Sequence, residues 1–251
     1  MEPLNTNPTL DRRTVLRSAA FAGVSLFAGG LLAGCGGDGV TSTANNQDQQ
    51  ILGAAKIAEA LATTMYTGII NDAPWFSTLS AEDQSYVTAA RDEEKFHYDL
   101  LKGATGGTDA PLTYHFPAGM FTDPQTTINV LITLEDAFIA AYLVGVKDLS
   151  SPALRVLAAQ IMGIESDHRT LGRLIGDELG LTTITGLSGS PESVDPPNNN
   201  VYERTYGLTT IDQVVAALTP FLAAGTGTVA KTFDPAYSPS NTGLFPNPAN
   251  G

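Results

Sequence analysis

A single cysteine, three histidines and one tryptophan are all that 251 residues contain of those types, and 13 lysines and arginines face 26 aspartates and glutamates. One cysteine excludes an internal disulfide framework, whatever the redox state of the compartment. It also leaves no thiolate set to favour a soft metal. A formal net charge of -13 excludes the basic surface that displaces counterions from a polyanion, so nucleic acid is not an expected partner. What the chain does have is 43% apolar residues, over a length that suits one or two domains with a sizeable core. Stability must come from packing, or from packing assisted by a bound metal.

Residues 11–35 read DRRTVLRSAAFAGVSLFAGGLLAGC. Twin arginines, Arg12 and Arg13, precede a weakly apolar run and a small-residue site that ends at the cysteine. The stretch resembles a twin-arginine export signal joined to a lipoprotein box formed by Leu32, Ala33, Gly34 and Cys35. Asp11 and Val15 stand where that pattern has Ser or Thr and an aromatic residue. The run from Ser18 to Gly34 is shorter than the roughly 20 residues of a membrane-crossing helix and rich in Gly and Ala, which favours a signal over a span. The resemblance implies an export and lipoprotein signal over residues 1–35 and a lipid on Cys35. The product would be anchored to the cell envelope on its periplasmic or outer surface, and Gly36 after the cysteine points to an outer membrane. Residues 36–50, small, polar and without periodicity, predict a flexible tether.

From Ile51 to about Gly180 the pattern predicts four helices. On the first, Leu52, Ala55, Glu59, Ala62, Tyr66 and Ile69 recur at steps of three and four and line one face. The second follows a capping arrangement of Ser80 with Asp83 and carries Tyr86, Ala90, Glu94, His97 and Leu101. The third starts at Asp123 and Pro124, a favourable cap and first position, with Ile128, Leu131, Glu135, Phe138 and Tyr142 on its stripe. The fourth starts at Ser151 and Pro152 and presents Leu154, Leu157, Ile161, Glu165, His168 and Ile175. Between the second and third lies a long stretch rich in Gly, Pro and aromatics, too long for an ordinary turn. It predicts a crossover running the length of a bundle.

Ionisable groups interrupt every stripe, and they repeat. Glu59 and Tyr66 in EALATTMY match Glu135 and Tyr142 in EDAFIAAY; Glu94 and His97 match Glu165 and His168. The chain reads as two copies of a helical hairpin. Glu and His three apart share a helix face, so a twofold arrangement would bring four carboxylates and two imidazoles to one centre. Desolvating several like charges costs more than a core position supplies. Divalent cations would offset that cost, and oxygen and imidazole ligands suit iron or manganese.

The order Glu, Glu-x-x-His, Glu, Glu-x-x-His on successive helices resembles the ferritin-like superfamily of di-iron and di-manganese carboxylate proteins. It looks closest to a bacterial ferritin-like group that includes desiccation-related proteins. The resemblance implies an all-α, ferritin-like four-helix bundle over residues 51–180. It also implies two divalent metal ions, held by Glu59, Glu94, His97, Glu135, Glu165 and His168, with Glu94 and Glu165 as bridges. With six protein ligands for two ions, positions remain open for small molecules. The implied activity is that of a di-iron or di-manganese oxidoreductase acting on oxygen, peroxide or ferrous iron in envelope stress protection. The alternative is a protective envelope lipoprotein whose metal only braces the bundle. A lipid-anchored chain with a long tail fits a closed 24-subunit shell poorly, and a homodimer better.

The remaining residues predict less. Glu93 lies about 100° around the helix from Glu94 and is expected to face solvent. Tyr66 and Tyr142 are expected as core residues or donors to the ligands. His115 is expected in a loop without chemistry. Residues 181–251 predict an irregular C-terminal extension with a short helix around TTIDQVVAALTPFLAAG.

Overall fold

Ser80, Asp123 and Ser151 open three of the four long helices, as their sequence contexts predict. Ser80 Oγ accepts from the Asp83 amide at 3.1 Å, and the Asp123 carboxylate accepts from the Thr126 amide at 2.9 Å with Pro124 in the first helical position. Ser151 precedes Pro152 without a side-chain cap bond. The computed structural model describes residues 46–107, 109–198 and 207–239; the motifs at Arg12, Arg13 and Cys35 lie outside the described residues. The long helices are α1 (Asn46–Asp72), α2 (Ala81–Ala104), α3 (Pro124–Asp148) and α4 (Pro152–Glu178). α1 packs on α2 and α3 on α4, and the two hairpins face each other through α1 with α3 and α2 with α4.

α1 begins at Asn46, inside the segment expected to be a tether. The reason is Asp48: its buried carboxylate accepts from the Ser150 amide at 2.9 Å and the Ser150 hydroxyl at 2.5 Å. The polar run is thereby fastened to the turn between α3 and α4. Its stabilising partner lies a hundred residues away, beyond the reach of local periodicity.

The core between the helices is built from Leu61, Met65, Ile69, Val87, Ile128, Leu131, Ile132, Phe138 and Ile175, all buried. Each such side chain contributes about 1.5–3 kcal/mol by leaving water. α3 has the length and hydropathy of a membrane-crossing helix, but its most apolar window is 72% buried within the protein, as a core helix of a bundle would be. Close approach of α4 to α3 depends on Gly172, where a Cβ would stand 2.4 Å from the Leu131 side chain. Gly172 lies one helical turn after His168, and Leu131 one turn before Glu135, so this approach sets the spacing at the level of the ionisable groups.

The crossover is not structureless, and the C-terminal extension is more ordered than expected. β1 (Thr113–Pro117) lies in the crossover and pairs antiparallel with β4 (Thr228–Thr232), Phe116 standing opposite Val229. Tyr114 and Phe116 are buried while Thr113 and Pro117 are exposed, the alternation of a one-sided strand. His115 therefore sits on a strand opposite Ala230. The extension also forms a short hairpin of β2 (Thr183–Thr185) and β3 (Pro191–Ser193), and the expected short helix, α5 (Ile211–Leu218). Thr210 and Gln213 form a reciprocal capping box at the start of α5, and Val214 and Leu218 pack against the bundle. Beyond β4, Phe233 is buried edge-on against Tyr98 of α2 at 4.7 Å between ring centres. Tyr237 donates to buried Asp92 of α2 at 2.5 Å. The extension is a strap held by aromatic residues that its irregular composition obscures.

Candidate metal centre

All six ionisable residues that interrupt the stripes meet in the middle of the bundle. Glu94, Glu135 and Glu165 have no exposed surface, and Glu59, His168 and His97 are exposed by only 2%, 3% and 5%. They form two overlapping groups in which the ligand-capable atoms lie within 4.8 Å of one another: Glu59, Glu94, His97 and Glu165, and Glu94, Glu135, Glu165 and His168. Glu94 and Glu165 belong to both groups. The convergence follows from the helix pitch, since the i, i+3 pairs on α2 and α4 project from one face each.

Both imidazoles turn Nδ1 inward. His97 Nδ1 lies 3.4 Å from Glu59, 3.6 Å from Glu165 and 3.8 Å from Glu94. His168 Nδ1 lies 2.8 Å from Glu94 and 3.4 Å from Glu165. The glutamates of α1 and α3 are tied on their outer side only. Tyr66 of α1 donates to Glu135 Oε1 of α3 at 2.6 Å, and Tyr142 of α3 donates to Glu59 Oε1 of α1. Their other oxygens, Glu59 Oε2 and Glu135 Oε2, point inward without a hydrogen-bond partner. The same holds for both oxygens of Glu94 and Glu165 and for Nδ1 of each histidine, which approach one another without hydrogen-bond alignment.

Such a set of buried, unsatisfied acceptors is costly by itself. Its electrostatics record that cost. Burial, then repulsion from Glu59, raises the Glu94 carboxyl above its ordinary range. Burial, then Glu94, does the same for Glu165, and burial with Glu94 and Glu165 pushes Glu135 well above it. Burial alone would lower the two histidines, but the surrounding carboxylates, Glu59 first for His97 and Glu94 first for His168, raise both well above the ordinary imidazole value. Burial, followed by the adjoining carboxylates, also raises Tyr66 and Tyr142, so both phenols remain hydrogen-bond donors. In the absence of a metal, the fold therefore favours the protonated forms of these groups more than the unfolded chain does. Four carboxylates and two imidazole nitrogens without sulfur form a donor set suited to hard or intermediate divalent cations.

Several neighbours of the centre were not legible as such. Glu93 does not face solvent; its Oε2 lies 2.8 Å from His168 Nε2, across the interface between α2 and α4. A single-helix projection places Glu93 off the face that carries Glu94 and His97, where the partner helix happens to lie. Asp136, next to Glu135, is buried and pairs with buried Arg169 of α4 at 2.6 Å. Arg169 also reaches Glu192 of the β2–β3 hairpin at 2.9 Å, and buried Arg173 lies 3.3 Å from Glu192 and donates to the Ser193 carbonyl. An acid beside Glu135 in an otherwise apolar run was the available sign of this network.

The sequence profile of a family described as Ferritin-like domain matches residues 47–176, the span of all four long helices. No curated protein matches the chain.

Proposed function

This chain belongs to the ferritin-like domain family, and from that premise we propose that it is an exported, lipid-anchored oxidoreductase holding two divalent metal ions, iron or manganese, at the centre of its bundle. The carrying observation is the ring of inward oxygens and Nδ1 atoms on Glu59, Glu94, His97, Glu135, Glu165 and His168, buried and without hydrogen-bond partners. Two redox-active ions would supply electron exchange with dioxygen, peroxide or ferrous iron as substrate, as ferroxidase-like oxidation or catalase-like breakdown.

The protein's own groups have distinct tasks. Glu94 and Glu165, common to both groups, would be the carboxylates available to both ions. Glu59 with His97, and Glu135 with His168, would complete one side each. Tyr66 and Tyr142 each occupy one carboxylate oxygen and leave the other directed inward, which fixes the carboxylate rotamers before any cation arrives. The surrounding side chains exclude water, which strengthens every charge interaction at the centre. Protons held on the histidines and carboxyls must leave as cations enter, because the liganding forms are deprotonated.

Arg12, Arg13 and the box Leu32–Cys35 support the export and anchoring part of this reading, and the resemblance to exported ferritin-like proteins supports a role in envelope stress protection. Replacing Cys35 with alanine should release the protein from membranes and remove the lipid mass. The enclosure of all six residues favours one second reading, in which metal braces the bundle and no turnover occurs. Elemental analysis of the purified protein, repeated on Glu94→Ala and Glu165→Ala, tests both readings together: about two ions per chain are expected, and nearly none in either variant. Ferrous-oxidation and peroxide-consumption assays on the loaded protein then separate them. Bound metal without either activity leaves the brace, and absence of metal in the unmodified protein overturns both.

A further inference from the structure

The hairpins align through Glu94 with Glu165 and His97 with His168, and the residues interleaved with these ligands do not match. Before the glutamate stands Glu93 in α2 and Ile164 in α4; before the histidine stands Phe96 in α2 and Asp167 in α4. Glu93 reaches across to α4 and places its Oε2 at 2.8 Å from His168 Nε2, while His168 Nδ1 faces the centre. Tyr66 stands edge-on to the same ring at 5.8 Å. His97 has a different setting. Its ring meets Phe96 at 6.3 Å, its recorded carboxylate neighbours all face Nδ1, and the position on α4 equivalent to Glu93 holds isoleucine. Among the described residues no carboxylate lies within ion-pair distance of His97 Nε2.

A carboxylate on the far nitrogen of a metal-binding imidazole fixes the tautomer and ring orientation and makes the liganding nitrogen more basic. We infer that the two metal positions are unequal: the one bounded by Glu94, Glu135, Glu165 and His168 fills first and holds its ion more tightly, and the one bounded by Glu59, Glu94, His97 and Glu165 is the exchangeable position. Glu93 is a positioning residue for the first, acting through His168. The inference rests on the dinuclear reading above and adds an order of filling and a division of roles. The His168 position serves as the resident ion, and the His97 position, whose imidazole is the most exposed of the six ligands, is where a ferrous ion or a second cofactor ion comes and goes.

The test is titration of the metal-free full chain with Co(II) alone, followed by calorimetry and by the visible absorption of the bound ion. Two steps are expected, differing about 10–100-fold in affinity, the range lost when such a partner of a ligand histidine is removed. Glu93→Gln should weaken the first step by that factor, shift the absorption of the first equivalent and leave the second step in place; Glu93→Asp should restore part of the difference. Ile164→Glu, made with Glu93 intact, should tighten the weaker step, and serves as an independent variant should Glu93→Gln prove unstable. Two equal steps in the unmodified protein, or equal weakening of both steps by Glu93→Gln, overturns the unequal positions while leaving the dinuclear reading intact. Failure to bind any metal removes both.

Discussion

The α1–α2 and α3–α4 hairpins agree at the centre and differ at their flanks. Glu59, Tyr66, Glu94 and His97 of the first have counterparts in Glu135, Tyr142, Glu165 and His168 of the second. One residue away, Ala60 corresponds to Asp136 and Tyr98 to Arg169. The first hairpin is backed by aromatic packing, Tyr98 on Phe233; the second is backed by the ion network of Asp136, Arg169 and Glu192. Leu101 in α2 corresponds to Gly172 in α4, where close helix approach leaves no room for a side chain. Two copies of one motif thus kept the groups that meet in the middle and solved the problem of covering them by different physical means.

The largest effect is expected from the part that the hairpins share, because several titrating groups act together. Glu94, Glu135, Glu165, His97 and His168 are all raised in the fold, so the metal-free folded chain binds more protons than the unfolded chain. Stability then falls as pH rises, beginning above the ordinary carboxyl value and continuing through the imidazole range. Thermal unfolding in chelator should give a Tm that declines from about pH 5 to about pH 9, and saturating Mn(II) should flatten the decline; a Tm that climbs over that interval contradicts the assignment.

Next in size is Asp136→Ala, which removes a buried partner of Arg169 and should cost about 3–5 kcal/mol in urea unfolding. Joint replacement of Asp136 and Arg169 by leucine and methionine should cost much less, converting the second flank to the apolar character of the first. Gly172→Ala forces a methyl group against Leu131 and should cost about 1–3 kcal/mol, with metal affinity reduced in the same titration. Smallest is Tyr98→Phe. It deletes the bond to Asp109, 2.9 Å long and only partly buried, for about 1 kcal/mol, and keeps the ring that packs on Phe233.

The convergence of the six central residues was legible because each interrupts an apolar stripe at helical spacing and because the pattern occurs twice. The same periodicity failed for Glu93, whose importance comes from the neighbouring helix and not from its own. It failed too for Asp48, a polar residue in a polar run whose role depends on Ser150. The strand in TYHFP was missed, because its partner begins at Thr228 and no local pattern links segments so far apart. Arg169 and Arg173 were hidden for a related reason: charged side chains on a helix read as solvent-facing until the β2–β3 hairpin is laid over them.

The tyrosines have one further consequence. Tyr66 lies on the same helix as Glu59 but serves Glu135, and Tyr142 lies beside Glu135 but serves Glu59. Each half therefore manufactures the donor that the other half consumes, and neither could complete its own set in isolation. Two identical halves placed about a twofold axis would satisfy one another in the same way, and the two hairpins hold that reciprocity although their sequences differ.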